Sequence, residues 1–294
     1  MHQTDHAFEA FLQKTAHGFT AQQLGPMTAL SIPMFAQTGL VRAWFTTRRY
    51  GQRDDLKLSI ARMGATDEIV DNFLKAFDCA GIDPQDTVIA NAQHGTDVLP
   101  ADETHRGWGL FHLYTENDPG FDGMVTDRRS VALVATHADC TPVYLLDPVH
   151  HAIGLCHAGW RSTVGGMVTN LIDAMTAMYQ TRPQDLLAAI GPHIGSCCFE
   201  VDPPVGKAFA DAFPKAGCVL PGQKPGKQQL DLTRASAYQM YRAGLFGENA
   251  GGAPHPDGQE TVFGQGAVGL GGLGATAAVA RAVEGRGGGE SRSR

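Results

Sequence analysis

Two short segments rich in Cys and His flank a pair of apolar runs in the middle of the chain, and they constrain its fold more than any other feature. The segments are HADC at 137–140 and CHAGWR at 156–161, and the runs are PVYLL at 142–146 and AIGLC at 152–156. Runs of this length and composition are typical of strands, and the proline in the connecting DPVHH favours a turn. The sequence therefore predicts a β-hairpin with metal-binding residue types at its open end.

The hairpin also predicts which residues face each other. If Leu146 pairs with Ala152, antiparallel pairing sets Cys140 opposite Ala158 and next to His157. Paired residues lie about 4.5 to 5.5 Å apart at Cα. Because Zn–S and Zn–N bonds are about 2.3 Å and about 2.0 Å long, Cys140 and His157 are expected to reach one ion. For either residue alone, an ordinary structural role is the alternative.

Two ligands do not complete a metal site, and spacing alone does not choose the third. The histidines available are His94, His105, His112, His137 and His193. Asp139 is expected to orient the site from behind the ligands. A helix with an apolar stripe from Val164 to Met178 is predicted to begin right after residues 160–163, and the free N–H groups at its N-terminus would attract an anion beside Arg161.

Composition excludes several classes of protein. The chain has 294 residues, of which 43% are hydrophobic and 18% charged, enough for a substantial core. A net charge of −7 and a pI near 5.9 favour a small-molecule substrate and argue against nucleic acid or membrane partners. The N-terminal MHQTDHAFEAFLQK lacks the pattern of a signal peptide, so a cytoplasmic location is expected. Six cysteines, including adjacent Cys197 and Cys198, are expected to be thiols or metal ligands.

Helix-like and strand-like segments alternate between about residues 40 and 245. ATDEIVDNFLKAFDCAG at 65–81 has apolar residues at helical spacing, with Thr66 as its cap and Gly81 at its end. Further strands are predicted at 87–91, 131–136 and 186–190. Helices mixed with strands that include a hairpin indicate an α+β fold. From Gly244 onward the chain carries fifteen of its 36 glycines, and this composition predicts disorder.

The run from FDGMVTD through HADCTPVYLL and CHAGWR to IGPHIGSCCFEV resembles the YfiH-like family, also described as laccase-domain proteins. Its members include purine nucleoside phosphorylases, polyphenol oxidases and a peptidoglycan editing factor. The resemblance implies a single domain of mixed β-sheets with flanking helices. It also implies that His94, Cys140 and His157 bind one metal, usually zinc, with copper as the alternative. VRAWFTTRR resembles another motif of the family and marks Arg48 as a functional residue.

The chain departs from the family pattern in several places. Ala92 stands where the family has Gln, Ser162 where it usually has Gly, and the loop after Arg48 differs. Nothing after Leu245 resembles the family's C-terminal segment, and a frameshift near 242–249 would account for the glycine-rich tail. The expected organisation is an N-terminal extension at 1–40, a YfiH-like catalytic domain at 41–245 and a disordered tail at 246–294.

Three functions fit these residues. The first is a zinc-dependent purine nucleoside phosphorylase acting on adenosine, inosine and related nucleosides, with adenosine deamination as a side activity and Arg48 and Arg161 binding phosphate. Surface ion pairing is the alternative for both arginines. The second is a hydrolase of peptidoglycan-derived amides with Cys140 as nucleophile and His157 as base. The third is a copper-dependent polyphenol oxidase, for which a single His-Cys-His set offers few ligands.

Overall fold

A computed structural model describes residues 5–14, 16–54, 56–58, 66–246, 249–252 and 276–282. The helices within these ranges are α1 (His6–Lys14), α2 (Pro33–Ala36), α3 (Asp67–Ala80), α4 (Trp160–Val164), α5 (Met167–Tyr179), α6 (Pro203–Ala212) and α7 (Leu232–Ala243). The strands are β1 (Ala16–His17), β2 (Thr20–Leu24), β3 (Met27–Ser31), β4 (Val41–Tyr50), β5 (Arg53–Asp54), β6 (Thr87–Ile89), β7 (Val98–Pro100), β8 (Gly123–Thr126), β9 (Ala132–His137), β10 (Thr141–Asp147), β11 (Ala152–Ala158), β12 (Leu187–Ile190), β13 (Glu200–Val201), β14 (Val219–Pro221), β15 (Gln228–Leu230), β16 (Ala250–Gly252) and β17 (Thr276–Ala282).

The strands form three mixed or antiparallel sheets. Sheet I has the order β1-β16-β12-β10-β11-β8-β7, and sheet II has the order β2-β3-β4-β17-β9-β6 with β5 attached to β4. A small third sheet has the order β13-β15-β14. Sheets I and II both contain parallel and antiparallel pairs. This architecture confirms the expected α+β fold.

The predicted hairpin lies at the centre of sheet I and is buried on both faces. Val143 and Leu145 point into a cluster that includes α5 residues such as Leu171. Tyr144 and Leu146, on the alternate face, belong to a second cluster with residues of sheet II. The hairpin therefore carries core on both sides and is fixed firmly in the molecule.

The register of the hairpin differs by one residue from the prediction. Asp147, rather than Leu146, pairs with Ala152, so His157 pairs with Pro142. The connection is shorter than expected because the Asp147 carboxylate accepts hydrogen bonds from the backbone N–H groups of Val149 (2.8 Å) and His150 (3.0 Å) and closes the turn.

The predicted helices are largely confirmed, with one correction. Thr66 Oγ1 accepts the Ile69 N–H at the start of α3, and Gly81 ends α3 with a left-handed φ of 62°. The long striped helix, however, is two helices, because the chain turns at Gly166 with φ of 90°. The helix that starts beside Arg161 is thus the five-residue α4, too short for the anion site expected at its N-terminus.

The predicted N-terminal extension packs into the same domain. Strand β3 pairs with β4 across the proposed boundary at residue 40. Helix α1 packs against α7, with Phe8 fully buried and its ring 5.0 Å from that of Tyr238 in an edge-on contact. Among the described residues, we find no helix both long and apolar enough to cross a bilayer.

Two segments of the predicted disordered tail are strands. β16 adds to sheet I beside β12, and β17 lies between β4 and β9 in sheet II. This part of the sequence has few large apolar side chains, but a strand that lies between two others is held by backbone hydrogen bonds to both neighbours. Apart from Phe246 and Asn249, the rest of the predicted tail lies outside the described residues.

Truncation tests whether β17 belongs to the fold. A chain ending at residue 275 loses β17 and leaves the facing backbone edges of β4 and β9 unpaired, so we expect its free energy of unfolding to fall by more than about 2 kcal/mol. A chain ending at residue 282 is the control, since it keeps β17. Equal urea midpoints for the two truncated chains would show that the segment does not stabilise sheet II.

Candidate metal centre

Three side chains from separate parts of the chain converge at one point. His94 lies in the loop after β6, Cys140 in the turn between β9 and β10, and His157 in β11. Each offers one ligand atom, and these atoms all lie within 4.8 Å of one another. His94 is exposed, Cys140 is half-buried and His157 is buried. The structure thus brings together the three residues that the family resemblance implied, with one side open to solvent.

His94 is held in an unusual backbone conformation. Its φ is 59°, in the left-handed region that costs a residue with a side chain about 1 kcal/mol or more. Three successive backbone N–H groups, those of Gln93, His94 and Gly95, donate to the Asp122 carboxylate at 3.0, 3.0 and 2.8 Å. Such a concave run of N–H groups is a typical anion-binding arrangement, and here a buried side chain fills it.

The same carboxylate orients His157. Asp122 Oδ1 lies 2.9 Å from His157 Nδ1, which therefore carries a proton and leaves Nε2 as the ligand atom. Burial lowers the pKa of His157, but hydrogen bonds to Asp122 and Cys140 outweigh this effect and raise it to about 9. At neutral pH the proton on Nε2 must leave when a metal binds.

Gly159 leaves room for an ion between the ligands. It faces Cys140 one residue beyond the end of the hairpin ladder. A Cβ at this position would lie 2.7 Å from His94 Nδ1 and 3.1 Å from Cys140 Sγ. One thiol and two imidazoles around such a space suit a borderline-soft cation such as zinc. The residues present therefore fit a metal.

The other candidate histidines have different places. His137 is buried behind the centre, with its ring 5.2 Å from that of His157 and its Nδ1 3.2 Å from the Cys140 carbonyl oxygen. Burial holds the pKa of His137 well below its usual range. His193 lies with Nε2 3.0 Å from Thr233 Oγ1. His105 contacts Asp102 and the Trp108 ring, and the backbone of His112 forms an isolated β-bridge with Trp108. Neither histidine belongs to the ligand group.

The remaining predicted site residues make contacts of their own. Arg48 donates to the Asp54 carbonyl oxygen at 3.0 Å, and the Arg161 guanidinium stacks 4.3 Å above the Trp160 ring. Asp139 is exposed, and partial burial of its carboxyl raises its pKa. The carboxylate that contacts His157 is that of Asp122, and the orienting role expected of Asp139 stays a prediction.

Sequence reasoning missed Asp122 because a single Asp before a strand carries no local signal. It lies in the FDGMVTD segment, 35 residues from His157 in sequence, and becomes its neighbour because β8 pairs with β11. The cysteines were predicted correctly: all six lie in described residues and none forms a disulfide. Cys197 and Cys198 are exposed with their Sγ atoms 2.7 Å apart.

Comparison with known proteins identifies the family. Residues 42–256 match the family described as multi-copper polyphenol oxidoreductase laccase. This chain belongs to that family. The match covers most of the catalytic domain predicted from the sequence and confirms the resemblance to laccase-domain proteins.

Relatives with assigned names support the same placement. The chain is 30% identical over 243 residues to the purine nucleoside phosphorylase YlmD of Bacillus subtilis. The matched region covers 80% of this chain and 86% of that protein. It is 36% identical over 154 residues to YlmD of Geobacillus stearothermophilus, covering 52% of this chain and only 56% of that protein's length. The crystal structure of the Geobacillus YlmD superposes with a TM-score of 0.78 at 27% identity, over 91% of this chain and all of that one.

A Gly159→Ala variant tests the metal-binding space. The added methyl group would occupy the space between His94 and Cys140, so we expect zinc affinity to fall at least about tenfold while the fold is kept, because φ of −71° suits alanine. Zinc dissociation constants from chelator competition measure the effect. Ser162→Ala, which removes only a hydrogen bond to the Gly159 carbonyl oxygen, is the control. Unchanged affinity in Gly159→Ala would contradict this placement of the ion.

Proposed function

We propose that this chain is a zinc-dependent purine nucleoside phosphorylase acting on adenosine, inosine and related nucleosides. The observation that carries the proposal is the convergence of His94, Cys140 and His157 within 4.8 Å. It occurs in a chain that is similar over 80% of its length to a protein named purine nucleoside phosphorylase. The exposed side of His94 gives a nucleoside access to the centre.

His94, Cys140 and His157 would hold the zinc ion. Three protein ligands leave a coordination position open, the pattern of catalytic rather than structural zinc, and the bound ion supplies Lewis acidity there. Asp122 keeps the His157 ring in the orientation that presents Nε2. Cys140 at the open end of the hairpin and His94 in the exposed loop after β6 are the other two ligands.

Phosphorolysis requires a second anchored group, the phosphate. A phosphate oxygen forms a bond to C1′ of the ribose, the C1′–N9 bond to the purine breaks, and a proton goes to the released base. Arg48 and Arg161 are our candidates for holding phosphate, since guanidinium groups bind it in a bidentate manner. Arg48 lies near the C-terminal end of β4. His137 is the last residue of β9, and both strands end on the same side of sheet II. Arg161 lies two residues after Gly159.

A cysteine hydrolase is the second candidate, and one contact favours it. Hydrogen bonding links Cys140 to His157, and His157 Nδ1 in turn contacts Asp122 at 2.9 Å. A nucleophile, a base and an orienting carboxylate in this order are the parts of a thiol hydrolase. Metal content separates the two proposals, because a zinc-bound thiolate is not available as a nucleophile.

Copper-dependent phenol oxidation ranks below both, despite the name of the family. Among the described residues, only one group of three or more His, Cys, Asp or Glu side chains is arranged to hold an ion. Four-electron reduction of oxygen uses several coppers, and one such group does not supply their ligands.

Chromatography of reaction mixtures tests the phosphorylase. Zinc-loaded protein with adenosine or inosine is expected to release free base and ribose 1-phosphate only when inorganic phosphate is present. Arg48→Ala and Arg161→Ala should raise KM for phosphate about tenfold or more, since hydrogen bonds to charged groups contribute about 1.5 to 3 kcal/mol.

The control for the arginine variants is Arg182→Ala, which removes an exposed arginine paired with Asp185. Formation of inosine from adenosine without phosphate would reveal the deaminase side activity. Zinc-loaded protein that releases no base in the presence of phosphate would contradict the phosphorylase proposal. Amide hydrolysis by zinc-free protein that depends on Cys140 would support the hydrolase instead.

A further inference from the structure

We propose that Asp122 is a positioning residue that holds two of the three metal ligands at once. It does so through the backbone of His94 and through the ring of His157. This inference deepens the proposed function and rests on its metal centre. It concerns how the ligands are arranged, and so it can be tested by metal binding without any assay of the reaction.

The backbone contacts fix the loop that carries His94. Asp122 Oδ2 accepts the N–H groups of Gln93 (3.0 Å) and Gly95 (2.8 Å), and Oδ1 accepts that of His94 (3.0 Å). These three bonds stabilise the left-handed conformation of His94 against its intrinsic cost. Without them, the left-handed conformation of His94 would keep its intrinsic cost and lose these three bonds.

The ring contact fixes His157. Asp122 Oδ1 also lies 2.9 Å from His157 Nδ1, and the backbone carbonyl of Asp122 accepts the His157 N–H at 2.7 Å. A histidine whose Nδ1–H is held by a carboxylate binds metal through Nε2 and is a stronger ligand. One side chain therefore sets the loop of one ligand and the ring orientation of another.

Burial makes this arrangement rigid. Asp122 is 0% exposed, and its own N–H donates to the Asp97 carbonyl oxygen at 3.1 Å. Four N–H groups donate to its two carboxylate oxygens, three of them through part-buried bonds from the loop of His94 and the fourth through a buried bond from the His157 ring. Because it directly precedes β8, which pairs with β11, the ladder sets its position relative to His157.

Asp122→Asn is the informative substitution because it keeps the shape and removes an acceptor. The amide NH₂ cannot accept, so it must face either the N–H groups of Gln93 and Gly95 or those of His94 and His157. In either orientation the NH₂ group faces two N–H donors and accepts from neither. We expect zinc affinity to fall about 10- to 100-fold, the effect typical of losing a hydrogen-bond partner of a metal ligand.

Asp147→Asn is a closely matched control. Asp147 is also 0% exposed and also accepts four hydrogen bonds, from the backbone of Val149 and His150, from His150 Nδ1 at 2.8 Å and from Thr181 Oγ1 at 2.5 Å. It lies at the opposite end of the same hairpin and touches no metal ligand. Its substitution is expected to lower stability but leave zinc affinity unchanged within about twofold.

The experiment measures zinc dissociation constants of wild type, Asp122→Asn and Asp147→Asn by chelator competition, with thermal unfolding recorded for each. Weaker binding only in Asp122→Asn supports the inference. Equal binding by wild type and Asp122→Asn overturns it, and so does an equal loss in both variants. Wild type that binds no zinc at all counts against the proposed function rather than against Asp122 alone.

A second measurement needs no variant and applies if Asp122→Asn does not fold. Nitrogen-15 NMR of the zinc-loaded wild type reports which imidazole nitrogen carries the proton. A protonated Nδ1 and a metal-bound Nε2 at His157 support the positioning role. A metal-bound Nδ1 at His157 would overturn it, because the ring would then face away from Asp122.

Discussion

The backbone pairing of β10 with β11 is the constraint on which the centre depends. It sets His157 opposite Pro142 and carries Cys140 to the position opposite Gly159, just beyond the last bonded pair. Both faces of this hairpin lie in hydrophobic core, so its register is strongly determined. A thiol and an imidazole seventeen residues apart in the chain are thereby held beside the same space.

The pairing of β11 with β8 then adds the element that orients the ligands. Asp122, directly before β8, reaches both the His157 ring and the loop of His94, which follows β6 of sheet II. A buried carboxylate would be costly if it were unpaired, but here every hydrogen bond it accepts serves the centre. The pairing of β11 with β10 and β8 thus brings the site together, and the Asp122 side chain orients two of its ligands.

Part of this arrangement could be predicted from residue types alone. The apolar runs predicted the hairpin, and the Cys and His at its ends predicted a shared ion, but the register was wrong by one residue because the capped turn at Asp147 was not foreseen. Asp122 could not be found, since its importance arises from a contact across 35 residues. β17 was missed because backbone pairing leaves little trace in composition.

X-ray absorption at the zinc edge of the zinc-loaded wild-type protein tests the central claim most directly, that Cys140, His94 and His157 share one ion. The account predicts one sulfur and at least two imidazole nitrogens around each zinc, with the sulfur lost in Cys140→Ala. A zinc environment without sulfur, or one with two or more sulfurs, would contradict it.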